Sequence, residues 1–277
     1  MPSTVSERRV PSVGLSLAVR EHSADAGSPH VVLVHGYPDQ QDMWDRVVGH
    51  LEDSGIHVVT YDVRGAGASD VPLSRDGYRT ELLVEDLIAV VGATVPDGEP
   101  FHLVGHDWGS VQLWDVVAAE RVDARLQGRV ASFTSISGPS LDHVAHLSRH
   151  HGGRRLRMLN QAVHSWYVYA FHVPVLPEIV MRRLGRRVGQ NAVNGLNLYR
   201  ANMLRRMSRP GQLRTDVPVQ VIVPTGDKFV TDVMVDDLDQ ACSDLTVVRI
   251  DAGHWVTRSH PAEVAELIAG YVHAHPR

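Results

Sequence analysis

Along the first half of the chain, short β-branched runs alternate with apolar positions at helical spacing, the pattern of a parallel sheet joined by crossover helices. His30 to Val34 reads as a buried strand, followed by a helix over about Gln41 to Glu52 and a second strand at His57 to Tyr61. Another helix spans Glu81 to Val91, with Leu82, Leu83, Leu87, Ile88 and Val91 on one face. Phe101 to Val104 is the next strand and Ser110 to Glu120 the helix after it. Val130 to Ile136 becomes the sixth strand if Gly14 to Glu21 supplies one or two antiparallel strands at the start.

After Gly138-Pro139 the rhythm changes. Strand-like runs vanish, and Met, Leu and Arg at helical spacing dominate as far as Arg214. Strands resume at Val219 to Pro224 and Leu245 to Ile250, and a helix opened by Pro261 runs to about His273, proline being well suited to a first helical turn. The expected division is an α/β core made of residues 1–138 and 215–277, with a helical cap of residues 139–214 inserted between strands.

Charge marks the same boundary. The inserted segment holds 13 Arg against two acids, Asp142 and Glu178, whereas the rest holds 14 basic and 30 acidic residues. A basic lobe on an acidic body is read first as a solvated face or as contact with the acidic core. Attraction to anionic lipid headgroups, a peripheral membrane contact through the Arg-rich cap, or to an acidic substrate tail is the sharper alternative. The net charge of -5 and the lack of a recognised motif argue against nucleic acid.

At 43% hydrophobic and 21% charged residues, a folded core is expected rather than disorder. The single cysteine, Cys242, allows no intramolecular disulfide and reads as a buried, inert thiol. The N-terminus lacks a secretory apolar run, and nowhere do about 18 apolar residues follow one another, so a cytoplasmic protein without a membrane span is expected.

The strongest local signal is Gly105-His106-Asp107-Trp108-Gly109, placed between a strand and a helix. Gly-x-nucleophile-x-Gly in that setting is a nucleophile elbow, a turn so tight that only glycine fits two residues either side. The central residue is Asp rather than Ser. A carboxylate needs no base to activate it and can displace at an sp³ carbon to form an ester. The plain alternative is a polar turn in which Asp107 merely caps the next helix. Ser110 lies three residues on, inside the helix, and should not reach the same point, which argues against a serine esterase.

His254, in Gly253-His254-Trp255, follows the eighth strand, and Asp227, in Gly226-Asp227, follows the seventh. Nucleophile, acid and histidine in that order, each on a loop after a strand, would meet at the carboxyl edge of the sheet. A surface histidine and a turn aspartate are the bland readings. The backbone N–H groups of Tyr37, in His35-Gly36-Tyr37-Pro38, and of Trp108 could together form an oxyanion hole. Asp62-x-Arg64-Gly65-x-Gly67-x-Ser69 suits a tight structural loop beneath the elbow.

Together with Trp44, these motifs resemble the epoxide hydrolases of the α/β-hydrolase superfamily over nearly the whole chain, most strongly in the core. The resemblance implies an α/β-hydrolase fold with an inserted cap and water-driven opening of a small apolar epoxide to a diol. Asp107 would be the nucleophile, His254 the base and Asp227 its orienting acid, with no cofactor. It also implies two cap tyrosines that hold the epoxide oxygen. Ser165-Trp166-Tyr167-Val168-Tyr169 is similar to the first cap motif, favouring Tyr167 with Tyr169 as rival, and Leu198-Tyr199-Arg200 to the second, favouring Tyr199. Some bacterial relatives carry a dehydrogenase domain after the hydrolase; none follows before Arg277.

Haloalkane dehalogenases share the Asp nucleophile and the neighbouring Trp, but typically have Asn where Tyr37 stands. Fluoroacetate dehalogenases usually have Arg in place of Trp108. A non-catalytic binding protein on the same fold is the reading from another class. Trp108, Trp166 and Phe171 are expected to line the substrate pocket, and Met181 and Leu196 are further candidates for it or for the cap's own core. His143, His146, His150 and His151 cluster at the cap's start, but no carboxylate follows at ligand spacing, so no metal site is expected. A homodimer is left open.

Overall fold

The computed structural model describes residues 4–150, 153–184 and 186–276. Its centre is one eight-stranded sheet: β1 (Thr4–Ser12), β2 (Leu15–Ser23), β3 (His30–Val34), β4 (His57–Tyr61), β5 (Phe101–His106), β6 (Val130–Ile136), β7 (Val219–Pro224) and β8 (Leu245–Ile250). The spatial order is β1-β2-β4-β3-β5-β6-β7-β8. From β4 to β8 every pairing is parallel, while β1 and β2 form an antiparallel hairpin against β4. Gly14, expected to begin a strand, instead sits in the hairpin turn at φ 71°, and β1 lies upstream of it.

Helices α1 (Asp45–Asp53), α2 (Thr80–Thr94) and α3 (Trp108–Ala119) connect the first strands. Then α4 (Leu141–Arg149), α5 (Arg155–His164), α6 (Trp166–Ala170), α7 (Leu176–Met181) and α8 (Arg186–Ser208) all lie between β6 and β7. The short α9 (Val256–Ser259) and α10 (Pro261–Ala274) close the chain.

Over β3 to β7 both faces of the sheet are covered, so these strands read as continuous apolar runs rather than alternating ones. Val32 and Val34 face the side closed by α2 and α3, while Val31 and Leu33 face the side closed by α1 and α10. The buried face of α2 is carried by Leu83, Leu87, Val90 and Val91, with Leu82 and Ile88 only half-buried. The face is rotated from the expected one because buried Asp86 pairs with Arg64 at 2.6 Å. Cys242 is buried, and burial pushes its thiol up to about 12.

Helix α8 is tied to the core by asparagines that hydrogen-bond backbone. Asn194 Nδ2 donates to the Gly65 carbonyl at 2.8 Å, and Asn202 both accepts from Thr80 N–H and donates to the Tyr78 carbonyl. Ion pairs add to this: Arg206 meets Asp115 and Asp142, Arg205 meets Glu81, and Arg154 and Arg157 reach Asp232, Asp236 and Asp237. Four of the insertion's 13 Arg thus pair with acids of the core.

Candidate active site

Asp107 leaves β5 at φ 53°, ψ −123°, a conformation that costs a non-glycine residue on the order of 1–3 kcal/mol. The turn admits no side chain two residues either side. A Cβ on Gly105 would stand 2.5 Å from the Ser110 amide nitrogen, and one on Gly109 would run into the Val34 carbonyl. Although Asp107 occupies the N-cap of α3, its side chain makes no capping bond. Oδ1 instead accepts the Tyr37 N–H at 2.7 Å. The plain capping reading therefore fails. The Trp108 N–H, first in α3, has no carbonyl partner within the helix. Ser110 Oγ turns the other way and donates to the Gly138 carbonyl at 2.6 Å.

The loop bearing Tyr37 is braced from beneath. His35 Nε2 accepts the Val63 N–H at 2.9 Å and its Nδ1 donates to the Gly36 carbonyl at 2.9 Å. Asp62 accepts from the Gln41 and Ala68 amides, both at 2.8 Å. The Asp62–Ser69 segment is thus structural, as expected.

Loops after β7 and β8 bring the other two groups. His254 Nδ1 donates to Asp227 Oδ2 at 2.8 Å. Its Nε2 lies 3.6 Å from Asp107 Oδ2, beyond hydrogen-bond length. Asp227 Oδ1 accepts the Phe229 and Val230 N–H groups at 2.7 and 3.1 Å. Burial pushes the His254 imidazole down, but the carboxylates of Asp107 and Asp227 on either side outweigh it and raise it to about 10. Burial likewise opposes ionised Asp227, and His254 with the two amides overcomes it, holding the carboxyl below its ordinary value.

Above Asp107 stand two phenols from the insertion. Tyr199 on α8 is buried and edge-on to Trp108 and Tyr37, with ring centroids 4.9 and 5.3 Å apart. Tyr167 on α6 is edge-on to Tyr199 at 6.0 Å and to Phe229 at 5.5 Å. Burial pushes both phenols above their ordinary range, with the Asp107 charge acting in the same direction. Both are therefore neutral donors at neutral pH. Tyr169 is 70% exposed and faces solvent; Tyr167 is the one that shares space with Asp107.

That space is a cavity of about 270 Å³ bounded by Asp107, His254, Tyr167, Tyr199, Phe171 and Trp166, among others. Trp108 and Phe229 line a second hollow of about 90 Å³ that shares Asp107, Tyr167 and Tyr199 with it. Met181 also borders the larger cavity, whereas Leu196 is wholly buried in the core. A roomier cleft of about 720 Å³, beside Arg8, Arg20 and Gln190, lies away from these groups.

Sequence reasoning assigned no role to Phe229, His106 or Gln161. Phe229 packs on the His254 ring at 4.9 Å. Gln161 Nε2 donates to the Phe229 carbonyl at 2.8 Å, so the insertion grips the acid's loop. Position two residues after Asp227 was a signal for the first; nothing in the pattern marked the second contact. Of the histidine cluster, His143 donates to the Asp236 carbonyl at 2.9 Å and His151 lies outside the described residues. No group of three metal-binding side chains converges among the described residues.

A family model described as alpha/beta hydrolase fold matches residues 29–168. The chain belongs to that family. This alpha/beta hydrolase is 33% identical over 303 residues to "Probable oxidoreductase EphD" of Mycobacterium tuberculosis, covering 97% of its own length and 50% of that protein's. It thus spans about half the length of that relative. It is 25% identical to "AB hydrolase superfamily protein YfhM" of Bacillus subtilis, covering 94% of this chain and 95% of that one. Among solved structures, a mutant of an epoxide hydrolase from Bacillus megaterium superposes with a TM-score of 0.77 at 18% identity, covering 96% of this chain and all of that one.

Proposed function

We propose that this alpha/beta hydrolase opens epoxides with water through an ester on Asp107. The observation that carries the reading is one carboxylate with an amide on Oδ1, an imidazole beside Oδ2 and two neutral phenols sharing its cavity. The epoxide-hydrolase names of its structural neighbours support it. The oxidoreductase name belongs to a protein of which this chain spans half.

Oδ2, the oxygen without an amide donor, attacks one epoxide carbon; that carbon's bond to the ring oxygen breaks, and Tyr167 and Tyr199 donate to the developing alkoxide, one of them passing it a proton that solvent then restores to the phenol. The product is an alkyl ester. Esterification removes the Asp107 charge that helped hold the His254 proton, so the imidazole's affinity for it falls and His254 becomes a base. It takes a proton from water, whose oxygen attacks the ester carbon. The tetrahedral oxyanion forms at Oδ1, where the Tyr37 and Trp108 amides serve it. As the oxyanion collapses the Cγ–Oδ2 bond breaks, His254 returns its proton to the departing oxygen, and the diol leaves carrying the former Oδ2. Residues 139–214 act as the cap that supplies both phenols and shields the ester.

His254→Gln should stop the cycle at the ester. Intact-mass spectra after exposure to styrene oxide are expected to gain one epoxide mass, on a peptide containing Asp107. No adduct would count against the reading. Halide release from a bromoalkane without diol from styrene oxide would favour a dehalogenase instead, since Asp107 and Trp108 are common to both chemistries.

A further inference from the structure

Helix α5 is amphipathic the wrong way round. Leu156, Leu159 and Val163 recur at one-face spacing, yet they are 81%, 62% and 69% exposed, while the only buried residue of the helix is polar Gln161. The same holds further along the insertion, where Trp166 is 66% exposed and Leu176 and Ile179 also face solvent. Scattered exposed apolar residues need no explanation, but a run over three successive helices marks an interaction surface.

Cations are interleaved with this apolar face. Arg155 precedes Leu156, and Arg182 and Arg183 follow α7; all three are exposed. Unlike Arg154, Arg157, Arg205 and Arg206, none of them forms an ion pair among the described residues, although the Arg182 charge reaches Glu178 on α7 and helps hold its carboxyl down. Core attachment therefore accounts for one set of arginines and leaves another beside exposed leucines. Apolar side chains with unpaired guanidinium groups fit an anionic bilayer surface, the former entering the acyl boundary and the latter meeting phosphates. A second copy docked isologously would set these cations against each other.

We infer that the outer face of α5 to α7 docks on anionic lipid bilayers. The face reaches the cavity rim at Trp166, so a molecule dissolved in the bilayer meets the site without crossing bulk water. Docking does not depend on the reaction proposed above.

The whole chain, sedimented with phosphatidylcholine vesicles with and without phosphatidylglycerol, tests this. Binding is expected only to the anionic vesicles and to be lost at high salt. Arg182→Gln with Arg183→Gln should weaken partition roughly 30-fold, at about fivefold per cation. Leu156→Glu with Leu159→Glu should abolish binding while leaving the thermal midpoint unchanged, because both side chains are exposed. Absence of binding at low salt, equal binding to both vesicles, or wild-type binding by either variant would overturn the inference. So would a concentration-dependent dimer that the leucine variant disperses.

Discussion

His106 donates from Nε2 to the carbonyl oxygen of His254 at 2.8 Å, so the residue before Asp107 holds the backbone of His254. Both are buried, and burial together with the nearby His254 pushes the His106 imidazole down. It is a neutral strut, tying the loop after β8 to the end of β5. Removing the donor leaves a buried carbonyl unpaired, at a cost of about 1–3 kcal/mol. His106→Phe should lower stability by that amount, measured by urea unfolding. It should slow ester hydrolysis more than ester formation, as read by single-turnover kinetics.

Raising pH should reveal the His254 contact. The folded imidazole titrates at about 10, above the roughly 6.5 of an unfolded histidine. The contact's stabilisation is therefore complete below about 6.5 and is lost as pH climbs through about 10. The stability advantage of wild type over His254→Gln should shrink across that window, checked by chemical denaturation at successive pH values. An advantage that grows with pH would contradict the sign.

In the proposed reaction, Tyr167→Phe and Tyr199→Phe each remove one donor to the developing alkoxide. A hydrogen bond to a charged group is worth about 1.5–3 kcal/mol, so each change should slow ester formation by roughly 10- to 150-fold. Tyr169→Phe, at a solvent-facing position, should leave the rate alone. Rapid-quench measurement of the ester with styrene oxide checks all three.

Asp227→Asn replaces an acceptor that fixes the proton on His254 Nδ1. With the imidazole held in the wrong tautomer, the loss in turnover should approach the 10⁴-fold known for the equivalent change in a serine protease triad. Ester should accumulate rather than fail to form, because Asp107 itself needs no base. Mass spectrometry of the steady-state enzyme distinguishes the two.

Strands β3, β4, β6 and β7 were legible to the residue because each is a short β-branched run buried on both faces, and β8, half-exposed at the sheet edge, was legible from its β-branched residues alone. The triad positions followed from the same source, since loops after parallel strands converge at one edge. Tyr167 and Tyr199 came from resemblance alone; helical spacing could not tell a phenol in a cavity from one in a core. The Asp86–Arg64 pair turned α2, and charge buried that way leaves no periodic trace. Asn194 and Asn202 looked like ordinary polar helix residues, because hydrogen bonds to distant carbonyls have no local pattern. The β1 hairpin arm was overlooked because, as an edge strand open to solvent, it carries the charged run Glu7-Arg8-Arg9 instead of a hydrophobic one.

The hydrogen bond from the Tyr37 amide to Asp107 Oδ1 makes the two carboxylate oxygens unequal over many cycles. In the proposed reaction Oδ2 departs with each diol and is replaced from solvent, whereas Oδ1 stays anchored throughout. After repeated turnover in ¹⁸O-water, Asp107 should carry one heavy atom and keep one original atom, giving the nucleophile a permanent half and a renewable half.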